Sequence, residues 1–418
     1  MKNSNIINYS LCIFFVVSTL FPFLKVYVDN YYLQLDFTLV IFANFIFSTI
    51  IFGSAKSKLE LNGFSLLGIC LLILVTLNLL VHRRFNEQLP YFIYVVSFIS
   101  SSIAVKYAFK YVLKELTSNL IIVALSIVMF IHILYAFYDN TSLIGFNNGC
   151  FNNLNLFSNY LSVFFPLFFS KAIVNLHNRR LGIFDLWFWF ISFMIIFMAI
   201  INNTRSSWLS ISLTITISFF LLHTQNAKRK VSRINILSKF RLQNFVTTAI
   251  FVAFLVFAYL IKKDSADGRF AIWDLSFKIF TDHPFIGIGF NSFESQYNLY
   301  QAAYFDNNYD SNKMRLADDV YVPYNEFLQS ICELGFSVVL LWCCLCIYVF
   351  KQCSEIFRVI KHTNEVHWSY VSYLGLLSFC CVTFNCSYPL SVVEITNAIF
   401  LTHYIIDIEL DRKLSSKI

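Results

Sequence analysis

The chain has little charge. Only 13% of its 418 residues are Asp, Glu, Lys or Arg, about half the share of a soluble protein. That shortage excludes an ordinary water-soluble domain, and the composition equally excludes disorder, collagen and a disulfide scaffold. Metal-binding cysteine spacing is missing too. No second CxxC pair accompanies Cys343 and Cys346 to complete a zinc set among the 11 cysteines, and most of them lie inside apolar runs, where a thiol behaves as a small hydrophobe. The first apolar run, about 6–25, is followed by Tyr27-Val28-Asp29 and not by a small-residue cleavage site, so it reads as a retained helix. No internal repeat of the kind that builds inverted-repeat transporters is visible.

What the chain has in abundance is hydrophobic sequence, 58% of all residues, arranged in runs of about 20 that fit a bilayer. Windows of about 19 residues place spans near 6–26, 35–53, 64–81, 89–105, 119–137, 154–176, 183–202, 205–222, 244–262, 334–351, 368–386 and 389–407. With the N-terminus in the cytoplasm, 20 of the 31 basic residues fall in cytoplasmic connections, while the opposite loops hold chiefly Arg83 and Arg84. The positive-inside rule therefore favours twelve spans with both termini cytoplasmic. The net charge of +7 is dispersed over loops and does not form a nucleic-acid surface. The expected organisation is a bundle over 1–262 with nine spans, an outer loop over 263–333, and spans ten to twelve with a cytoplasmic tail over 334–418. The fold class is an all-α membrane protein whose one long extracytoplasmic loop carries short amphipathic helices.

That loop holds 11 acidic and five basic residues, unlike the lysine-rich cytoplasmic connections, and a connection of about 70 residues calls for a function. Phe270, Trp273, Phe277 and Phe280 recur at helical spacing, so a helix with Asp267 as N-cap and His283-Pro284 as its stop should lie at the membrane surface or pack over the bundle. Arg269 would occupy its first turn, where a cation opposes the helix dipole and an anion would be welcome. A solvated arginine paired with Asp264 or Asp267 is the plainer alternative. Gly287 and Gly289 permit a tight turn or close backbone approach. Without a strand before them and a helix after, they do not form a dinucleotide loop.

Arg205 falls in the short turn between spans seven and eight. Charge so near hydrocarbon must snorkel, pair or bind an anion. Topology puts it on the same face as Arg269, and two guanidinium groups from different elements suit a phosphate or diphosphate. The asparagine-rich stretch 146–160 is external by the same count. Its amides are common caps and turn residues, with Asn153 and Asn155 the pair best placed to meet sugar hydroxyls or phosphate oxygens. Glu326 reads equally as a base or a loop salt-bridge partner. Asp185 and Glu394 read as carboxylates pairing with neighbouring helices, and His132 and His403 as satisfied core histidines.

Taken in order, Asn153-x-Asn155 before a middle span, Thr204-Arg-Ser-Ser207 at the head of a later one, Arg269-x-x-x-Trp273, Pro284, Gly287-x-Gly289, Asn325-Glu-Phe-Leu328 and Glu333-Leu-Gly335 resemble the O-antigen ligase and polymerase superfamily of bacterial membrane glycosyltransferases. The likeness covers roughly residues 150–335. It implies a polytopic inner-membrane protein, with no cofactor or metal, that moves a glycan from undecaprenyl diphosphate to an acceptor hydroxyl of a glycan or lipid on the outer face. It further implies that Arg205 and Arg269 meet the diphosphate and that Trp273, Gly287 and Gly289 shape the loop; an outer-loop group such as Glu326 or Tyr324 is then expected to position the acceptor hydroxyl, with Asn325 among the substrate-binding residues. Ligases of the family typically carry histidine directly before the Asn of the last motif, where this chain has Tyr324. Tyrosine is ordinarily a poor general base near pH 7, so a polymerase-like member, or a base from elsewhere, is implied. A lipid-linked glycan flippase or other transporter would also have about twelve spans, but should line its pathway with charge.

Overall fold

A computed structural model describes residues 63–83, 118–138, 149, 151, 153–229, 260, 263–307, 311–317, 319–363, 365–387 and 393–415. Every regular element among them is a helix. In chain order these are α1 (Gly63–Val81), α2 (Ser118–Tyr138), α3 (Leu154–His177), α4 (Ile183–Ile201), α5 (Arg205–Arg229) and α6 (Lys263–Asp282). They continue as α7 (Phe293–Asn307), α8 (Ser311–Leu316), α9 (Glu326–Leu334), α10 (Phe336–Thr363), α11 (Trp368–Cys386) and α12 (Val393–Ser415). Six described helices, α2, α3, α4, α5, α10 and α11, contain stretches long and apolar enough to cross a membrane, and α1 has a shorter one. The spans expected near 6–26, 35–53, 89–105 and 244–262 lie outside the described residues.

The bundle is built around α3, which is enclosed by α4, α5, α11 and α12 and buries Phe157 through Val174 without interruption. Stacked aromatic rings (Phe164 on Phe168, Phe165 on Phe169, Phe168 on Phe188) fill the space around it, the dense packing expected where lipid offers helices no hydrophobic driving force to associate. Close approach of α11 depends on Gly375, where a Cβ would press on Pro166 of α3 and Thr214 of α5. Ser372 of α11 donates to the Pro166 carbonyl (3.1 Å). The start of α3 is capped by Asn153, whose side chain accepts from the Asn155 amide (2.8 Å), and α4 by Asp185, which accepts from the Gly182 amide and from Asn175 (2.8 Å each).

Four helices, α6 to α9, occupy the segment expected to form the outer loop. They enclose a small core of Leu275, Ile279, Ile288, Phe293, Tyr297, Val320 and Cys332. One expectation is corrected here. Asp267 does not cap α6, because the helix begins four residues earlier at Lys263, and Arg269 therefore lies in its second turn. The packed face of the helix differs from its aromatic stripe. Leu275, Ser276 and Ile279 are buried, while Phe270 and Phe277 point outward, as suits a helix presenting rings to a lipid surface. The expected stop holds, since α6 ends at Asp282 before His283-Pro284.

This outer layer is pinned to α1 by one amide. Asn78 donates to the carbonyls of Ile286 (2.7 Å) and Glu333 (3.3 Å), and its oxygen accepts from the Phe290 amide (2.8 Å). Gly287, at φ 75°, lies so close to the Glu333 backbone that any Cβ would overlap it. The amides of Ile288 and Gly289 then donate to the carbonyls of Cys332 and Glu333 (2.9 and 3.1 Å). Glu333 is fully enclosed. Its carboxylate accepts from the amides of Asn291 (2.9 Å) and Phe293 (3.4 Å) and from Gln329 (3.2 Å). Burial outweighs those donors and pushes its pKa up to about 7.

Candidate functional site

Three helix ends and one loop meet at the end of the bundle where α3 begins. Arg205 is the first residue of α5, and its guanidinium donates to Ser265 (2.9 Å). A cation here adds to the positive end of the helix, so the side-chain charge and the helix dipole favour the same anion. Arg269 reaches from α6 to the last turn of α11, where it donates to the Cys386 carbonyl (2.7 Å), one of the acceptors that a helix C-terminus leaves without an internal partner. The two arginines are close enough for Arg269 to act on Arg205 as a like charge, and both are half-buried.

The guanidinium of Arg269 lies 4.9 Å over the ring of Tyr324, a cation–π contact. Tyr324 has φ 54°, the left-handed region that costs a residue with a Cβ about 1–2 kcal/mol. Neighbours hold it there. Trp273 of α6 donates from Nε1 to the Pro323 carbonyl (2.8 Å) on one side. On the other, Asn325 caps α9 by accepting from the Leu328 amide (3.0 Å) and reaches toward Asn385 of α11 (3.5 Å). Glu326 opens α9 and is buried, 6% exposed. Strain retained where packing over-determines it is common at working sites.

Arg205, Arg269, Trp273, Tyr324 and Asn325 are thus linked directly or through α11, and Glu326 follows them in the chain. The structure gives the other expected site residues different surroundings. Asn153 is occupied as the cap of α3, with Asn155 exposed beside it. Gly287 and Gly289 pack on the end of α9, and their conformation is explained by that contact. Asn147, Asn148 and Asn152 lie outside the described residues, as does the side chain of Glu394. His132 is buried against Tyr160 (ring centroids 5.3 Å apart). Among the described residues no three His, Cys, Asp or Glu side chains gather as a metal site.

Sequence reasoning set aside one residue that the structure puts at the centre. Asn159 of α3, fully buried, accepts from the hydroxyls of Ser206 (2.8 Å) and Ser207 (3.0 Å) at the head of α5 and donates to Ser387 (3.1 Å) just past α11. Next to it Ser158 accepts from Asn202 (3.0 Å). The available signal was an amide inside an apolar helical run, where it must find partners.

Residues 190–343, from within α4 to the first turns of α10, match the family model described as O-Antigen ligase. That stretch, 154 of the 418 residues, is similar to the O-antigen ligase/polymerase superfamily. No curated protein matches the chain. The matched stretch contains both arginines, Trp273, Tyr324, Asn325 and Glu326. The similarity supports glycosyl transfer of that general type, between a lipid-linked glycan and an acceptor, and the six long apolar helices suit a multi-pass membrane protein.

Proposed function

We propose that the protein is a polysaccharide polymerase that elongates a glycan carried on undecaprenyl diphosphate at the outer face of the inner membrane, without a metal. The observation that carries this reading is the convergence of Arg205 and Arg269 from separate helices beside the strained Tyr324. The hydroxyl oxygen of the acceptor sugar attacks the anomeric carbon of the donor, the bond from that carbon to the phosphate oxygen breaks, undecaprenyl diphosphate leaves with the electron pair, and the hydroxyl proton passes to a phosphate oxygen of the leaving group or to water. Negative charge grows on the leaving oxygens, where two fixed, half-buried guanidinium groups stabilise it most. Tyr324 and Glu326 position the acceptor hydroxyl, and the exposed rings of α6 face the polyprenyl chain. Tyr324 in place of the family's histidine favours polymerase over ligase.

The test incubates the full-length protein with an oligosaccharide linked to undecaprenyl diphosphate. Longer chains are the expected product. Transfer to a lipid or protein acceptor would replace polymerase by ligase, and movement across vesicles without bond change would replace both by a flippase.

A further inference from the structure

We infer that Asn159 is the positioning residue of this site: its buried amide joins the head of α5 to the end of α11 and thereby sets the separation of Arg205 and Arg269. The inference rests on the function proposed for those arginines. Neither guanidinium touches Asn159. Each is held one step away from it. Arg205 immediately precedes Ser206 and Ser207, whose hydroxyls both donate to the Asn159 oxygen (2.8 and 3.0 Å). Arg269 is fixed by the Cys386 carbonyl, and the next residue, Ser387, accepts from the Asn159 nitrogen (3.1 Å). An amide can accept twice and donate in the same plane, and in this one two contacts run to the helix that carries Arg205 and the third to the residue after the carbonyl that holds Arg269.

The brace has work to oppose. Two like charges act on each other here and would drift apart on flexible supports, whereas stabilising a developing diphosphate requires both in place before the bond breaks. Its footing is rigid, because Asn159 is 0% exposed within a helix enclosed on all sides. Ser158 holds the other flank of the same turn through Asn202 (3.0 Å), so the start of α3 grips residues 202–207 twice. Removing the amide would leave buried hydroxyls to seek other partners and free the two helix ends from each other.

The experiment measures elongation of the undecaprenyl-diphosphate-linked oligosaccharide by full-length protein, normalised to folded protein from thermal melting in detergent. Asn159→Ala should lower kcat at least tenfold while the donor KM moves less than threefold. In an Arg205→Lys background that retains some turnover, the same substitution should cost much less than tenfold, because both changes act through one guanidinium. Wild-type kcat per folded molecule, or losses that simply multiply, would overturn the inference. Should Asn159→Ala not fold, Ser387→Ala cuts only the α11 arm; it should lower kcat with donor KM retained, and unchanged kcat there would also overturn it. Full activity in Arg205→Ala would bring down the reading of the arginines and this inference together. Full activity in Asn159→Ala beside an impaired Arg205→Ala would remove this inference alone.

Discussion

The two ends of α3 use similar parts for different purposes. Near its C-terminal end Lys171 is buried, donates to Asn119 of α2 and lies over the rings of Trp368 (4.9 Å) and Phe188 (5.8 Å). Asp185 and Glu409 act on it as opposite charges. Twelve residues earlier, about 18 Å along the helix axis, Asn159 braces two arginines that act on each other as like charges. A cation among amide, rings and carboxylates is a finished structural joint. A pair of cations held together at helix ends suits the diphosphate proposed above.

Substitutions at the two ends should therefore separate. Arg269→Ala should reduce glycan elongation about 100-fold or more, the range seen when one preorganised donor to a developing oxyanion is lost, with the protein still accumulating in the membrane. Normal product from that variant would end the distinction. Lys171→Met should do the reverse, leaving turnover per folded molecule near wild type while lowering the melting temperature, since Asp185 and Glu409 lose their cation. A stability loss of about 1–3 kcal/mol is the scale for a buried polar group left unsatisfied. A drop in kcat larger than the drop in folded protein would mean that the lysine end also serves the chemistry.

The arginine end was partly legible in the sequence and the brace beneath it was not. Arg205 and Arg269 stood out because charge at a membrane edge must be accounted for, and loop topology put both on one side. The helices over 154–177 and 183–201 follow from their apolar lengths almost to the residue. By contrast α10 runs on to Thr363, well beyond the apolar window ending near 351, because its last turns are built from polar helix formers that hydropathy does not register. Asn159 was hidden among asparagines that resemble caps. Only three-dimensional proximity tells an amide that ends a helix from one that ties two others together. The packed face of α6 was not legible for a related reason: aromatic spacing left a membrane-surface helix and one packed over the bundle as alternatives, and only the structure shows Leu275, Ser276 and Ile279 packed with Phe270 and Phe277 facing away.

Smaller effects test the outer layer. Glu333 ionises in the unfolded chain near the ordinary glutamate value of about 4.3 but is held at about 7 when folded. The folded state thus keeps a proton that the unfolded state has lost. Its contribution is fully present below about pH 4.3 and declines as pH rises toward 7. Glu333→Gln should flatten that part of the melting temperature against pH between 5 and 7; an unchanged slope would mean that the carboxylate is not the group responsible. Smallest of all, Trp273→Phe keeps a ring but removes the donor to the Pro323 carbonyl. About 1 kcal/mol and a few-fold loss of turnover are expected, seen as slower elongation at equal protein. A loss as large as that of Arg269→Ala would move Trp273 from supporting the Tyr324 turn into the reaction itself.

The central position of α3 has a consequence for biogenesis. Of the candidate spans, α3, α5 and α11 are the least apolar, while α2, α4 and α10 are more so. The segments that build the arginine end are thus the ones least inclined to enter lipid singly, and Asn159, Ser206, Ser207 and Ser387 find their partners across them. Insertion of this chain should accordingly proceed with the greasier helices settling first as a shell, and with the site-bearing helices leaving the translocation machinery together.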